Sequence, residues 1–166
     1  VKAKGNTVDL TIAGFVELLG NDVQANQNIR VQAQGIKGFI RSPRVTLNSQ
    51  GNVDVQLVTS FLDAIIQGNA FINNQGNLYI QNLSANNIEL TNRGQVTSHP
   101  GSINADSFKY TIDGDAQLSM FVSALQGKAN KTVIDNNKDL ILRDLQANGL
   151  EIKVNGLLKV IGHILS

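Results

Sequence analysis

The chain has 166 residues, 42% of them apolar and 16% charged, and its 14 basic and 13 acidic side chains leave a net charge of +1. That balance excludes a disordered segment, which combines low hydrophobicity with high net charge, and it offers no basic run or face of the kind that nucleic acid requires. With no Cys, disulfides, thiolate metal sites and Cys nucleophiles are excluded together.

At this length one domain, residues 1–166, is expected, with chain enough for a substantial core. No stretch approaches the ~18 consecutive apolar residues of a membrane-spanning helix. The first residue is Val and no basic-then-apolar leader follows it, so a processed or trimmed chain is expected. Turn formers are plentiful, with 15 Gly and 20 Asn against only 2 Pro. Gly accepts positive φ and Asn bonds its own backbone, which suits corners. The same residues, with the β-branched ones, interrupt every helical window.

Apolar and polar residues alternate at period 2 from the amino end onward, the pattern of short strands. Val8-Asp9-Leu10-Thr11-Ile12 is the first run, and residues 16–18 follow it with a second. Ile29-Arg30-Val31-Gln32-Ala33 and residues 36–40 repeat the pair, and weaker runs near 45–47 and 53–57 repeat it again. The middle of the chain, about residues 42–80, is irregular, and residues 58–66 are expected to carry a bulge or loop. Pairs resume at 71–72 with 78–80, Ile88-Glu89-Leu90-Thr91 with Val96, and Phe108-Lys109-Tyr110-Thr111-Ile112 with 116–118. The last are 133–134 with 140–142, and Leu150-Glu151-Ile152-Lys153-Val154 with 158–161.

An echo accompanies these pairs: aliphatic, polar, Ala, then Asn or Asp. It occurs at Val23-Gln24-Ala25-Asn26, Leu83-Ser84-Ala85-Asn86, Ile103-Asn104-Ala105-Asp106 and Leu145-Gln146-Ala147-Asn148, with start-to-start offsets of 60, 20 and 42. Read as three, one and two periods, these offsets predict turns of roughly 20 residues, and self-similarity at such a period marks a stacked-repeat fold. The echo supplies a third short side to each turn. The expectation is an all-β chain, a single-stranded right-handed parallel β-helix of about eight turns with three strands per turn. Strands this short bury an apolar face only by stacking, each turn ~4.8 Å above the last. Asn at equivalent corners is expected to form amide ladders. Outward charges are expected to pair between turns, Asp9 with Arg30 and Glu89 with Lys109.

Candidate chemical groups are few. His99 precedes Pro100-Gly101 and reads as a solvated turn residue, while His163 lies in the apolar carboxyl-terminal stretch. Neither has the spacing of a catalytic triad. Asp113-Gly114-Asp115 is the best cation candidate, since hard cations want clustered carboxylates. It lacks the further acids of a calcium loop and reads as a corner, as does Asp135-Asn136-Asn137-Lys138-Asp139. No metal, cofactor or catalytic residue is assigned. Tyr79 alternates outward between Leu78 and Ile80, whereas Tyr110 falls inward. Phe15, Phe39, Phe61, Phe71, Phe108 and Phe121 are read as core or corner packing.

The run Leu145-Gln146-Ala147-Asn148-Gly149-Leu150-Glu151-Ile152-Lys153-Val154-Asn155-Gly156 resembles the repeat of the bacterial auto-transporter adhesin head, or GIN, domain family. Residues 23–35 and 103–114 carry the same pattern. The family's Ser-Gly-x-Gly corners are here mostly Asn-Gly, Gln-Gly or Asp-Gly. The resemblance implies a right-handed β-helix, an exported bacterial protein of the cell envelope, and no catalytic residues to carry over.

The function expected is therefore a non-enzymatic envelope β-helix serving as a scaffold or adhesin-like binding domain. Its partner would be a surface glycan or a protein, held on a flat face or near residues 58–66 or 97–102. Two other readings remain: a structural rod that assembles through its ends, as bactofilin-like β-helices do, and a β-helical polysaccharide-active enzyme. The enzyme would need paired carboxylates on one face, and the 13 acids are scattered around the turn.

Overall fold

A computed structural model describes residues 2–166, with the side chains of residues 19–22 left out of the description, and all its regular structure is β. The chain winds as a right-handed parallel β-helix of about nine coils, stepping ~18 residues each time. Through the middle of the chain each coil contributes two strands rather than the expected three, whereas the last coil has three, Gly149–Val154, Leu158–Val160 and Ile164–Leu165. In the middle of the chain the strand Arg44–Ser49 pairs with Phe61–Ile66 and that with Leu78–Ser84, while Val53–Val58 pairs with Ala70–Asn74 and that with Asn87–Asn92. Pairing with the next strand but one means that two sheets face each other, joined by a corner at each side.

The alternation explains both faces. On the first, inward residues stack as Val8, Ile29, Val45, Leu62 and Ile80, pass through the buried Ser98, and continue as Leu118, Ile134 and Ile152. On the second they stack as Val16, Ile36, Val53, Ala70, Ile88, Phe108, Leu125, Leu142 and Val160. From Val16 to Leu142 this second column is buried, so the two faces share one aliphatic interior. Main-chain N–H and C=O groups are taken up by the coils above and below, as buried backbone requires.

Coil length varies, and this corrects the 20-residue period. Leu118 pairs with Ile134 at a step of 16, Val45 with Leu62 at 17, Ile88 with Phe108 at 20 and Val8 with Ile29 at 21. The echo marks a corner rather than a whole turn. Its Ala residues, Ala25, Ala85, Ala105 and Ala147, are all buried, because a small side chain fits where the chain crosses from one face to the other, just past a strand end at Ala85 and Ala147 and within a continuous strand at Ala25 and Ala105. Leu83 and Ile103 are neighbours on the first face, but Val23 and Leu145 lie on the second. Offsets of 60 and 42 are thus about three and a half and two and a half coils.

Residues 42–80 are regular rather than irregular. The strands Arg44–Ser49 and Phe61–Ile66 keep an unbroken register, as do Val53–Val58 and Ala70–Asn74. Within residues 58–66, Thr59 and Ser60 form a corner and Phe61–Ile66 is an ordinary strand. The extra residue sits at Gln81, where the register against Leu62 and Asp63 slips by one.

Among the described residues the buried polar ones are Asn74, Asn92 and Asn136 at strand ends, together with the hydroxyl residues Ser42, Ser49, Thr59, Ser98, Ser102 and Thr132. Asn74 Oδ1 accepts the Thr59 N–H at 3.0 Å, and Asn74 Nδ2 donates to Asn92 Oδ1 at 2.8 Å. Asn136 Oδ1 likewise accepts the Val122 N–H at 2.9 Å. Each amide replaces the peptide unit missing where one coil turns earlier than its neighbour. Outside, Asn87 donates to Asn69, Asn148 to Asn130 and Asn155 to Asn137, which are the expected corner ladders. Gly38, at φ 129°, lies against the Leu18 main chain, where any Cβ would collide with the Leu18 carbonyl.

Candidate binding surface

Side chains that alternate outward form columns along the axis, and two of these columns are distinctive. The first runs up the first face as Arg44, Phe61 and Tyr79, neighbours in register. The Arg44 guanidinium lies 3.9 Å from the Phe61 ring centroid, and Phe61 stacks on Tyr79 at 5.8 Å with 30° between planes. The Tyr79 hydroxyl meets His99 Nδ1 at 3.3 Å. His99 sits at the start of a turn that inserts between Val96–Ser98 and Ile103–Ile112, closed by Ser102 N–H donating to the His99 carbonyl. Segments 58–66 and 97–102, expected as ligand loops, therefore meet at Tyr79. Stacking consumes both faces of Phe61, so this column offers ring edges rather than an open platform.

The second column lies on the opposite face, where Phe71, Glu89, Lys109 and Gln126 stack in register and Arg143 continues the line. Beside it run Asn87, Ser107 and Ala124, also in register. The Phe71 row carries long side chains and the Asn87 row small ones. Between them lies a groove of about 340 Å³ along the axis, floored by the Ile88, Phe108 and Leu125 positions. The Glu89–Lys109 pair, at 3.4 Å, crosses its wall as expected; both side chains are about half exposed, so it is worth under ~1 kcal/mol. Ser107 donates to Asn87 Oδ1 at 2.6 Å and Asn87 to Asn69, which fixes the amides of the other wall. Among the described residues nothing stacks on the Phe71 ring, which is 47% exposed, and the Arg143 guanidinium has no hydrogen-bonding or ionic partner.

The aromatic assignments divide accordingly. Tyr79 is outward and Tyr110, 1% exposed, is core. Of the phenylalanines only Phe108 is core; Phe15 at 62%, Phe71 and Phe121 are exposed and Phe39 and Phe61 half-buried, which corrects the core reading for these five, although Phe15 lies against Gly35 and Phe121 against the turn at Gly101. Parity carried the missed signal, since Phe71 stands between inward Ala70 and Ile72. Asp9 stands opposite Arg30 in register.

Carboxylates elsewhere serve the coil. Asp115 accepts from Asn130 Nδ2 at 2.7 Å, Asp139 from the Leu157 N–H and Asp144 from the His163 N–H. Asp113-Gly114-Asp115 is a corner, and among the described residues no three His, Asp or Glu converge as metal ligands would. His163 is exposed, 3.6 Å from Asp144. No described helix is long and apolar enough to cross a membrane.

Comparison with known proteins returned no match among family models, curated proteins or solved structures.

Proposed function

We propose that this chain is a non-catalytic β-helical binding module of the bacterial cell envelope, adhesin-like in holding its ligand on a sheet face. The groove on the second face carries this reading: a concavity between complete coils, edged by an unstacked aromatic ring, ordered amides and an unpaired cation. Ligand sites join apolar surface to a few convergent polar groups in this way. The engagement of Asp115, Asp139 and Asp144 in corner bonds fits a scaffold better than a hydrolase or lyase. The repeat's likeness to the adhesin head domain supports an envelope location and membership of that family.

The test is a glycan array probed with the purified chain, alongside turnover assays on acidic polysaccharides. Retention of a defined glycan class without product release is expected. Product release would overturn the reading.

A second reading, a rod stacking end to end, rests on another observation. The last coil leaves Leu157, Leu158, Val160, Ile161, Ile164 and Leu165 exposed, beside half-buried Ile152 and Val154. A second copy stacked there would extend the columns and cover the strand edge. Filaments that grow with concentration and vanish in Leu157→Lys or Ile161→Lys would establish it, and a monomer at all concentrations would dismiss it.

A further inference from the structure

We infer that the groove on the second face binds an acidic oligosaccharide, a chain of uronate-type sugars lying along the helix axis. The inference rests on the binding-module reading and names its ligand. Phe71 and Arg143 occupy the two ends of the wall, on the fourth and eighth coils, four steps or about 19 Å apart by strand spacing. That length suits a short extended oligomer rather than a single small molecule.

Each part of the groove matches part of such a sugar chain. The exposed Phe71 ring gives an apolar plane for the C–H face of a pyranose. Asn87, Ser107 and Gln126 present amide and hydroxyl groups at the middle of the groove, suited to sugar hydroxyls. The Lys109 charge is already met by Glu89, so the wall's uncompensated charge is that of Arg143. A planar guanidinium binds a carboxylate through two parallel hydrogen bonds, which selects a uronate over a neutral sugar.

A peptide fits less well. Extended peptides bind sheets by adding to a free strand edge. The groove lies on the sheet surface, where the main chain of residues 88, 108 and 125 is already paired with neighbouring coils. A peptide backbone would find no donors or acceptors to match its own.

The experiment is isothermal titration of the full chain with hexagalacturonate and with its methyl ester, which has the same backbone without charge. The acid is expected to bind and the ester to bind at least tenfold more weakly. Arg143→Gln should weaken binding of the acid at least tenfold, with Arg143→Lys restoring part of it. Phe71→Ala should weaken both sugars. Both residues are exposed, so melting temperatures should stay unchanged and report that folding is intact. Equal binding of acid and ester, lost in Phe71→Ala, would overturn the acidic class while leaving a glycan-binding module. Binding of an acidic peptide instead, with the same dependence on Arg143, would overturn the saccharide and keep a binding module. No retention on the array and no titration signal would overturn both the inference and the reading beneath it.

Discussion

Tyr110 shows how fully the interior is given over to uncharged groups. Its ring fills the space above Gly127, where an added Cβ would fall 2.1 Å from ring atoms, and its hydroxyl donates to Thr132 Oγ1 at 3.4 Å. Burial pushes the phenol above its ordinary value of 10.0, with the Thr132 bond pulling weakly the other way. The unfolded chain therefore loses this proton at lower pH than the folded one. The neutral phenol's contribution is intact below about pH 10 and is lost as pH rises through the folded value. Melting temperatures measured from about pH 8 to 11 should fall more steeply for the wild type than for Tyr110→Phe. Parallel curves would show that Tyr110 is not the group responsible. At this scale alternation was a dependable guide, placing Tyr110 inside and Tyr79 outside. Phe71 is legible by parity alone, because hydrophobicity points it inward while its place between Ala70 and Ile72 turns it outward.

Strands and corners obey different rules. Strands follow from alternation alone, and their outward partners Glu89 and Lys109 meet as their parity requires. Corners depend on how many residues each coil has to spare, which alternation does not encode. Interior Asn absorbs that variation: where a coil turns early, Asn74, Asn92 or Asn136 fills the gap in the ladder. Asn74→Ala leaves the buried Thr59 N–H without an acceptor and Asn92 Oδ1 without its donor, so a loss of about 1–3 kcal/mol is expected. Asn148→Ala removes only the exposed bond to Asn130 and should cost under ~0.5 kcal/mol. Chemical denaturation of the two variants measures the contrast; equal losses would refute a special role for the interior ladder. The same variation hid the number of sides. Both faces end their strands in a buried Ala followed by Asn or Asp, so Leu83-Ser84-Ala85-Asn86 and Leu145-Gln146-Ala147-Asn148 look equivalent although they lie on opposite faces. The two echoes are half a coil out of phase, so their spacing mimics a longer, three-sided coil.

Across the whole molecule, stacking turns distance along the chain into proximity. Phe71, Glu89, Lys109, Gln126 and Arg143 share no local motif, yet successive coils align them along one groove. The class of fold was legible because burial of short strands demands stacking. The groove was not, because steps that vary from 16 to 21 residues must be summed without error before residues 71 and 143 can be placed on one line. Column alignment is accordingly the premise of both the architecture and the binding surface. Its most direct measurement is the pattern of inter-strand nuclear Overhauser effects between backbone protons. Parallel connectivities should join Val55 to Ile72 and Ile72 to Leu90, at steps of 17 and 18 residues. Antiparallel connectivities, or a uniform step of 20 linking Val55 to Gln75, would contradict it and dissolve the groove as well.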